Sequence, residues 1–447
     1  MAPLKPKYEF GGPVGAAAII CGLPILLNVF YFTCNDETGC PVPILLTPSA
    51  FTWETLKDTD ILATERNMGF HELETQELFG TKLKQSGRPL KYRLNAFSST
   101  VVQLIACAIG TYFQGANFVV WTFISDNYLQ LLTTSIILSY TISVYIYVAS
   151  FSIDPAKPDP NLRELAEGGQ TGNLNPRLTL PILGVEVDLK TWLEMRPGLT
   201  GWILLDLAFV AKQYRTYGFL SDSILFTAAA QTYYVLEGHY FESDLLSMMD
   251  ITMDGLGFML VFGDIAWVPF LYSTQCRYLS VYPVHLGAAG LVAVAAVFAL
   301  GLYIFRAANS QKTRFRTQPD HPSVRGLPYI QTKRGTRLLT GGWWGMSHHM
   351  NYLGDWIQAS PFSLPTALAG YLILPAEASP PVPGAIAMLD GRAVGYGMVF
   401  TYFYVVYFAT LLMHRERRDD LACAEKYGED WEKYKKIVRW RILPGIY

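Results

Sequence analysis

Charge is scarce in this chain: 16% of its 447 residues are Asp, Glu, Lys or Arg, against about a quarter in a soluble globular protein. With 51% hydrophobic and 14% aromatic residues, that shortage argues against the two or three soluble domains the length alone would permit. Cysteine is sparse too. The six stand at 21, 34, 40, 107, 276 and 423, with no CxxC pair and no zinc spacing, which leaves no zinc-ribbon or dithiol motif. Cys34 and Cys40 suit a disulfide on an oxidising face or two loop thiols equally. No GxGxxG and no P-loop occurs, so a bound dinucleotide is not held by a Rossmann unit. No repeat and no low-complexity tract is visible. The apolar run from Pro13 to Phe32 lacks a small-residue cleavage site and is long enough to span, so no cleavable signal is expected there.

What the chain has is long apolar runs. Spanning takes about 20 residues of helix, and these runs are too continuous for barrel strands. Clear spans are expected at 13–33, 97–115, 127–150, 285–305 and 393–413. Softer ones fall at 199–219, 223–237, 255–274 and 358–376 and carry Asp206, Lys212, Glu237 and Asp264. An all-α polytopic membrane protein of about nine spans follows. Charges inside a span face the bundle interior and mark a site by default.

The net charge of −2 says little, because the charges are unevenly placed. Lys and Arg crowd 82–93, 306–337 and the tail after 413, while 116–126 and 377–391 have none. With nine spans all three basic stretches share one side, read as cytosolic. Three polar islands, 152–198, 306–357 and 414–447, look structured and are expected to build a pocket for a soluble cofactor against the membrane. The expected divisions are 1–96 (first span and polar segment), 97–305 (transmembrane bundle) and 306–447 (cofactor-binding half with two further spans).

Candidate chemistry sits in these islands and in the softer spans. Lys312 and Arg316 are four apart, on one helix face, and suit phosphate oxygens; snorkelling at a membrane edge is the plainer reading. The stretch from Gly341 to Gly345 permits close backbone approach and offers Trp343 and Trp344 as stacking surfaces, or forms an interfacial aromatic belt. His348, His349 and Asp355 are metal-ligand types, but adjacent histidines point to different helix faces, and no metal is expected. The tail from His414 to Tyr434 is mixed in sign and aromatic, which also suits a solvated helix or anionic lipid. In the bundle, Tyr234, Glu237, Glu242, Asp250, Asp254, Asp264 and Tyr272 cluster in sequence. A buried carboxyl kept protonated can donate to an unactivated alkene, leaving a tertiary cation for hydride to quench. For any one of these acids, satisfying buried backbone groups or sitting at a span end is the plainer reading.

These stretches together resemble the sterol reductase family from about residue 87 onward. The resemblance rests on Gly87 to Asn95, Leu174-Asn-Pro-Arg177, Trp343 to Asp355, His414 to Asp419 and Arg441 to Tyr447. Met249 to Leu260 and Phe262 to Phe270 look most like the Δ14 branch. The resemblance implies NADPH, a sterol with a C14=C15 double bond, and multi-pass placement in the endoplasmic reticulum membrane with a cytosolic C-terminus. It carries cofactor contacts onto Lys312, Arg316, Leu339, Trp344, Asn351 and Tyr352. In the tail it adds Asp419, the run Cys423, Ala424, Glu425, Lys426 and Tyr427, and Tyr434. Tyr234 matches the family's sterol-pocket tyrosine, with Glu237 and Glu242 the neighbouring acids. Partners implied are sterol, membrane lipid and other sterol-biosynthesis enzymes, and no nucleic acid. Departures are His348 for Arg, Glu237 for Asp, Asn173 for Glu, Gly341 for Ser, and a polar 51–85 where relatives have a further span. Alternatives on the same scaffold are Δ7 or Δ24(28) reduction, or a catalytically weakened sterol-binding protein. An isoprenylcysteine methyltransferase, with a similar C-terminal arrangement, would bind S-adenosylmethionine instead.

Overall fold

The computed structural model describes residues 12–33, 76–82, 89–150, 177–180, 185–252, 254–366 and 397–447. The Cys34–Cys40 pair, Asn173, and the polar 51–75 lie outside these residues, as does most of the 358–376 run. The chain divides into two compact units, Met1–Pro283 with Leu372–Gly397 and Val284–Tyr371 with Met398–Tyr447. The second unit therefore begins inside the segment expected to close the bundle.

The first unit is mostly helical. Gly12–Thr33, Ala96–Gln114 and Tyr128–Ser150 are long and apolar helices, and runs within them qualify as spans by length and composition. They expose Val14, Tyr112, Phe113 and Tyr145, as lipid-facing helices do. Pro24 lies inside Gly12–Thr33, and a proline there strips the carbonyl four residues earlier of its partner. That carbonyl belongs to Ile20, and the Tyr140 hydroxyl donates to it at 2.5 Å. A spanning helix tolerates proline when a neighbour re-satisfies the freed group in this way.

The softer spans behave differently. Gly201–Tyr217 and Asp222–Tyr240 are unbroken helices. Gly218 closes the first at φ +74°, the left-handed conformation a C-terminal glycine permits. Gln213 then ties the turn, donating to Leu279 O at 2.6 Å and accepting from Ser221 N at 2.7 Å. The 255–274 run, expected as one span, is helical without interruption from Phe258 to Tyr272, as Phe258–Phe262, a π-helical Gly263–Trp267 and Val268–Tyr272. A second π-helical stretch, Glu194–Thr200, contains Pro197 and packs Gly198 against the Asp264 backbone. Arg277, 6% exposed, sits 4.9 Å and 4.6 Å from the Tyr31 and Tyr128 rings and donates to Tyr31 O at 2.9 Å.

The second unit pairs Gly287–Thr317, which also meets the span criteria, with Met350–Ala359. Their approach depends on glycine: a Cβ at Gly301 would strike the Gln358 backbone, and one at Gly354 the Phe305 backbone. Small residues allow this closeness between helices in lipid. Gly397–Tyr427 and Glu429–Ile437 complete it.

The all-α expectation needs one correction. Among the described residues there are three two-stranded antiparallel ribbons, Gln76–Lys82 with Pro89–Leu94, Arg177–Leu180 with Val185–Asp188, and Tyr329–Gln331 with Arg337–Leu339. All three lie in polar stretches, where strand edges can meet water.

Candidate active site

The site in the second unit grows from the Gly287–Thr317 helix. Its last turns carry Ala308, Gln311, Lys312, Phe315 and Arg316 on or near one side. Gly342, at φ +63° with Gln311 filling the space of a Cβ, turns the chain onto that helix. Gln311 Oε1 accepts from Trp343 N at 2.9 Å, and Trp344 Nε1 donates to Ala308 O at 2.8 Å. Trp344 is thereby fixed face-on to Lys312, whose Nζ lies 4.1 Å from the ring centroid, a cation–π contact. Phe315, Val324, Leu339 and Trp344 form one buried cluster beneath. Arg316 stays exposed, one turn beyond Lys312.

The tail closes over this loop. His348 N donates to Trp440 O and His349 N to Arg441 O, both at 2.9 Å. His348 Nε2 meets Val438 O at 2.7 Å, and its ring lies 5.2 Å from Tyr434 and 5.5 Å from Trp431. Tyr434 stacks on Trp431 at 4.8 Å and its hydroxyl donates to Trp344 O at 3.3 Å. Cys423, Ala424 and Tyr427 pack on the same Trp431–Tyr434–Val438 cluster as Leu338 of the hairpin. Asp430 accepts from Lys333 N at 2.8 Å, so the hairpin turn is pinned as well. Fully buried Glu416 takes Arg441 Nη1 on both oxygens, at 3.1 and 3.0 Å, and the Tyr447 hydroxyl at 3.2 Å.

Electrostatics converge on one spot. Asp419 is acted on by Lys312, Lys426 and Arg316, though burial still pushes its carboxyl up. His349 Nε2 lies 3.4 Å from Asp419 Oδ2, yet burial, with Lys312 next, holds the imidazole down at about 3. At neutral pH this is a neutral ring beside an acid, stacked on Tyr352 at 4.6 Å, and not an ion pair. Burial pushes the Cys423 thiol up to about 12, which makes it a packing group. Asn351 Oδ1 is buried with no hydrogen-bond partner.

In the first unit, Tyr234 is half-buried, its ring 6.1 Å from Trp202; Trp202 in turn meets Tyr272 edge-on at 5.1 Å. Glu237 is half-buried on the same helix. Glu242 is 5% exposed and accepts from Ala96 N at 2.8 Å. It thus satisfies the first turn of Ala96–Gln114, the plainer use open to such an acid. Burial raises its carboxyl, while the Ala96 N–H and Arg196 pull it down.

A model of the "Ergosterol biosynthesis ERG4/ERG24 family" matches residues 70–447. A protein of Gibberella zeae named Delta(14)-sterol reductase ERG24B is 58% identical over 100% of both chains. The chain belongs to the ERG4/ERG24 family. The Delta(14)-sterol reductase of Neurospora crassa is 52% identical over 100% of this chain and 97% of its own. That of Schizosaccharomyces pombe is 38% identical over 99% and 98%.

Against this ERG4/ERG24 frame, the structure brings Lys312, Leu339, Trp344, Asp419, Cys423, Ala424, Tyr427 and Tyr434 into one packed assembly, with Asn351 and Tyr352 beside His349. The Glu425 and Lys426 side chains are exposed. Sequence reasoning missed Gln311, whose signal is its place one residue before Lys312 opposite a Gly-Gly turn. It weighed His349 only as a metal ligand; among the described residues no group of three ligand types converges on a metal.

Proposed function

We propose that this chain is a Δ14-sterol reductase, reducing the C14=C15 bond of Δ8,14-sterols with NADPH in the endoplasmic reticulum membrane, its tail on the cytosolic side. The observation that carries the cofactor assignment is the closure of the tail on the 306–357 loop, which sets Lys312, Trp344, Asp419 and Tyr434 together. The residues fit such a group. Lys312 and Arg316 are cations suited to phosphate, and an arginine beside the ribose selects a 2′-phosphate. Asn351 Oδ1 is a buried acceptor awaiting a donor, and an amide donor would meet that need. When bound, the dihydronicotinamide supplies hydride.

The remaining chemistry belongs to this chain. Tyr234, half-buried with its ring 6.1 Å from Trp202, offers a phenol to a sterol, with Glu237 one turn on. A proton delivered to C15 leaves a tertiary cation at C14, and hydride then lands on C14. Tyr234 and Glu237, together on Asp222–Tyr240, and Glu242, which accepts from Ala96 N, are the candidate donors. Hydride transfer also needs water kept away, and the aromatic cover of Trp344, Trp431 and Tyr434 serves that.

Purified protein given NADPH and a Δ8,14-sterol should yield the Δ8-sterol. Unchanged substrate, where a relative turns it over, would defeat the reading. Reduction at Δ7 or Δ24(28) in a diene panel would move the activity within the family.

A further inference from the structure

A cavity of about 380 Å³ opens where the Gly287–Thr317 helix ends, lined by Phe315, Pro319, Leu327, Pro328, Tyr329 and Arg337 among others. The Arg337 guanidinium lies 4.9 Å from the Phe315 ring centroid and 5.3 Å from that of Tyr329. Two ring contacts of this kind locate the cation. Phe315 is 4% exposed, whereas Tyr329, its ring 5.7 Å away, is 46% exposed. A buried floor and a solvent-facing aromatic wall thus meet at one cation.

The ribbon of Tyr329–Gln331 with Arg337–Leu339 brings these groups together. Tyr329 pairs with Leu339 and Gln331 with Arg337. All four lie on one face, because paired residues share a face and alternate residues return to it. Ile330 and Leu338 take the other face and pack on the Trp431–Tyr434–Val438 cluster of the tail. Leu339 shares a buried cluster with Phe315 and Trp344. Phe315 follows Lys312 by three residues, so the two are neighbours on the helix surface, and it directly precedes exposed Arg316. The cavity therefore borders the residues to which the cofactor reading gives phosphate and ring contacts, yet Phe315, Tyr329 and Arg337 are not among them.

We propose that this cavity takes the adenine of the dinucleotide, flat against the Arg337 guanidinium and the Tyr329 ring, leaving Arg316 for the 2′-phosphate. The inference rests on the NADPH reading made above. A purine offers a broad π-face and little charge, which suits stacking on an aromatic ring and on the plane of a guanidinium. A lysine at 337 would supply charge without that plane.

The test uses the full chain in detergent, with Kd measured calorimetrically for NADPH and for 2′,5′-ADP, which has the adenylate half and no nicotinamide. Y329A and R337A are expected to weaken both ligands by roughly 5- to 100-fold, the worth of one base stack. Y329F should stay within about twofold of the unaltered chain, and R337K should bind no better than R337A. Unfolding midpoints of the ligand-free variants identify those that keep the fold. Folded Y329A and R337A that bind both ligands normally would overturn the proposal. So would R337K at full affinity, which would make charge and not stacking the requirement. Failure of the unaltered chain to bind NADPH at all would remove the cofactor reading itself and this inference with it, whereas NADPH bound equally by chain and variants removes the adenine pocket alone.

Discussion

The two units treat their polar residues in opposite ways. In the second unit, charged and aromatic side chains far apart in sequence are drawn together: Lys312 beneath Trp344, Asp419 beside His349, Glu416 under Arg441 and Tyr447. In the first, the acids that crowd the sequence from 237 to 264 divide: Asp250, Asp254 and Asp264 stay around buried Lys190, which donates to Ile251 O and Asp254 O, while Glu242 leaves them. Glu242 accepts from the start of a helix, and Asp264 lies in a π-helical turn against Gly198. Water explains the difference. Where solvent is near, a charge is cheap to carry and can be gathered for ligand contact. Where lipid surrounds the bundle, each polar group must be spent on a specific partner.

The largest way to break the comparison is at Glu416. E416A leaves Arg441 and Tyr447 without their shared acceptor. Because Arg441 is partly exposed and can turn to water, the loss should be about 2–3 kcal/mol, at or below the low end for a broken buried pair. It should appear as a lowered unfolding midpoint of the second unit, and an unchanged midpoint would mean the tail is held by packing alone. Next is Lys312. K312A should raise KM for NADPH by about 10- to 100-fold, the worth of one charge-assisted contact, with little change in sterol KM. An equal effect on both substrates would blur the division of labour.

The histidines sharpen the contrast through pH. Unfolded, His349 binds a proton near 6.5; folded, it does so only at about 3. Below pH 6.5 the unfolded chain therefore binds more protons, and stability present above that pH is lost as pH falls. The slope is about 1.4 kcal/mol per pH unit for one such group. Unfolding midpoints between pH 7 and 5 read this, and H349F, which keeps the stack on Tyr352, should flatten the limb. His348, also held down by burial, shifts the same way. The smallest effect is expected at Glu425, whose side chain is exposed. E425Q should leave KM for NADPH within about twofold, as most surface substitutions do; a larger change would mean the side chain itself touches the cofactor.

Much of the second unit was legible in the sequence, because its motifs carry chemistry at fixed spacing. Lys312 and Arg316 share a face, and Gly341-Gly342 before Trp343-Trp344 signals a close turn. The hairpin at Tyr329–Leu339 was not legible. It depends on Gly335 at φ +81° and on Thr332 bonding back to Thr336, which hydropathy does not register. In the first unit, hydropathy found the long spans but not the π-helical turn at Gly263–Trp267, because such turns alter register and not composition. Asp206 was visible as a charge in a span.

In the proposed reaction this chain adds a proton and a hydride to opposite ends of one alkene. Isotopic labelling tests it most directly. With NADPH deuterated at the transferable position, the account predicts deuterium at C14 of the Δ8-sterol. With ordinary NADPH in D2O it predicts deuterium at C15. Labels exchanged between the two carbons, or both drawn from solvent, would contradict it.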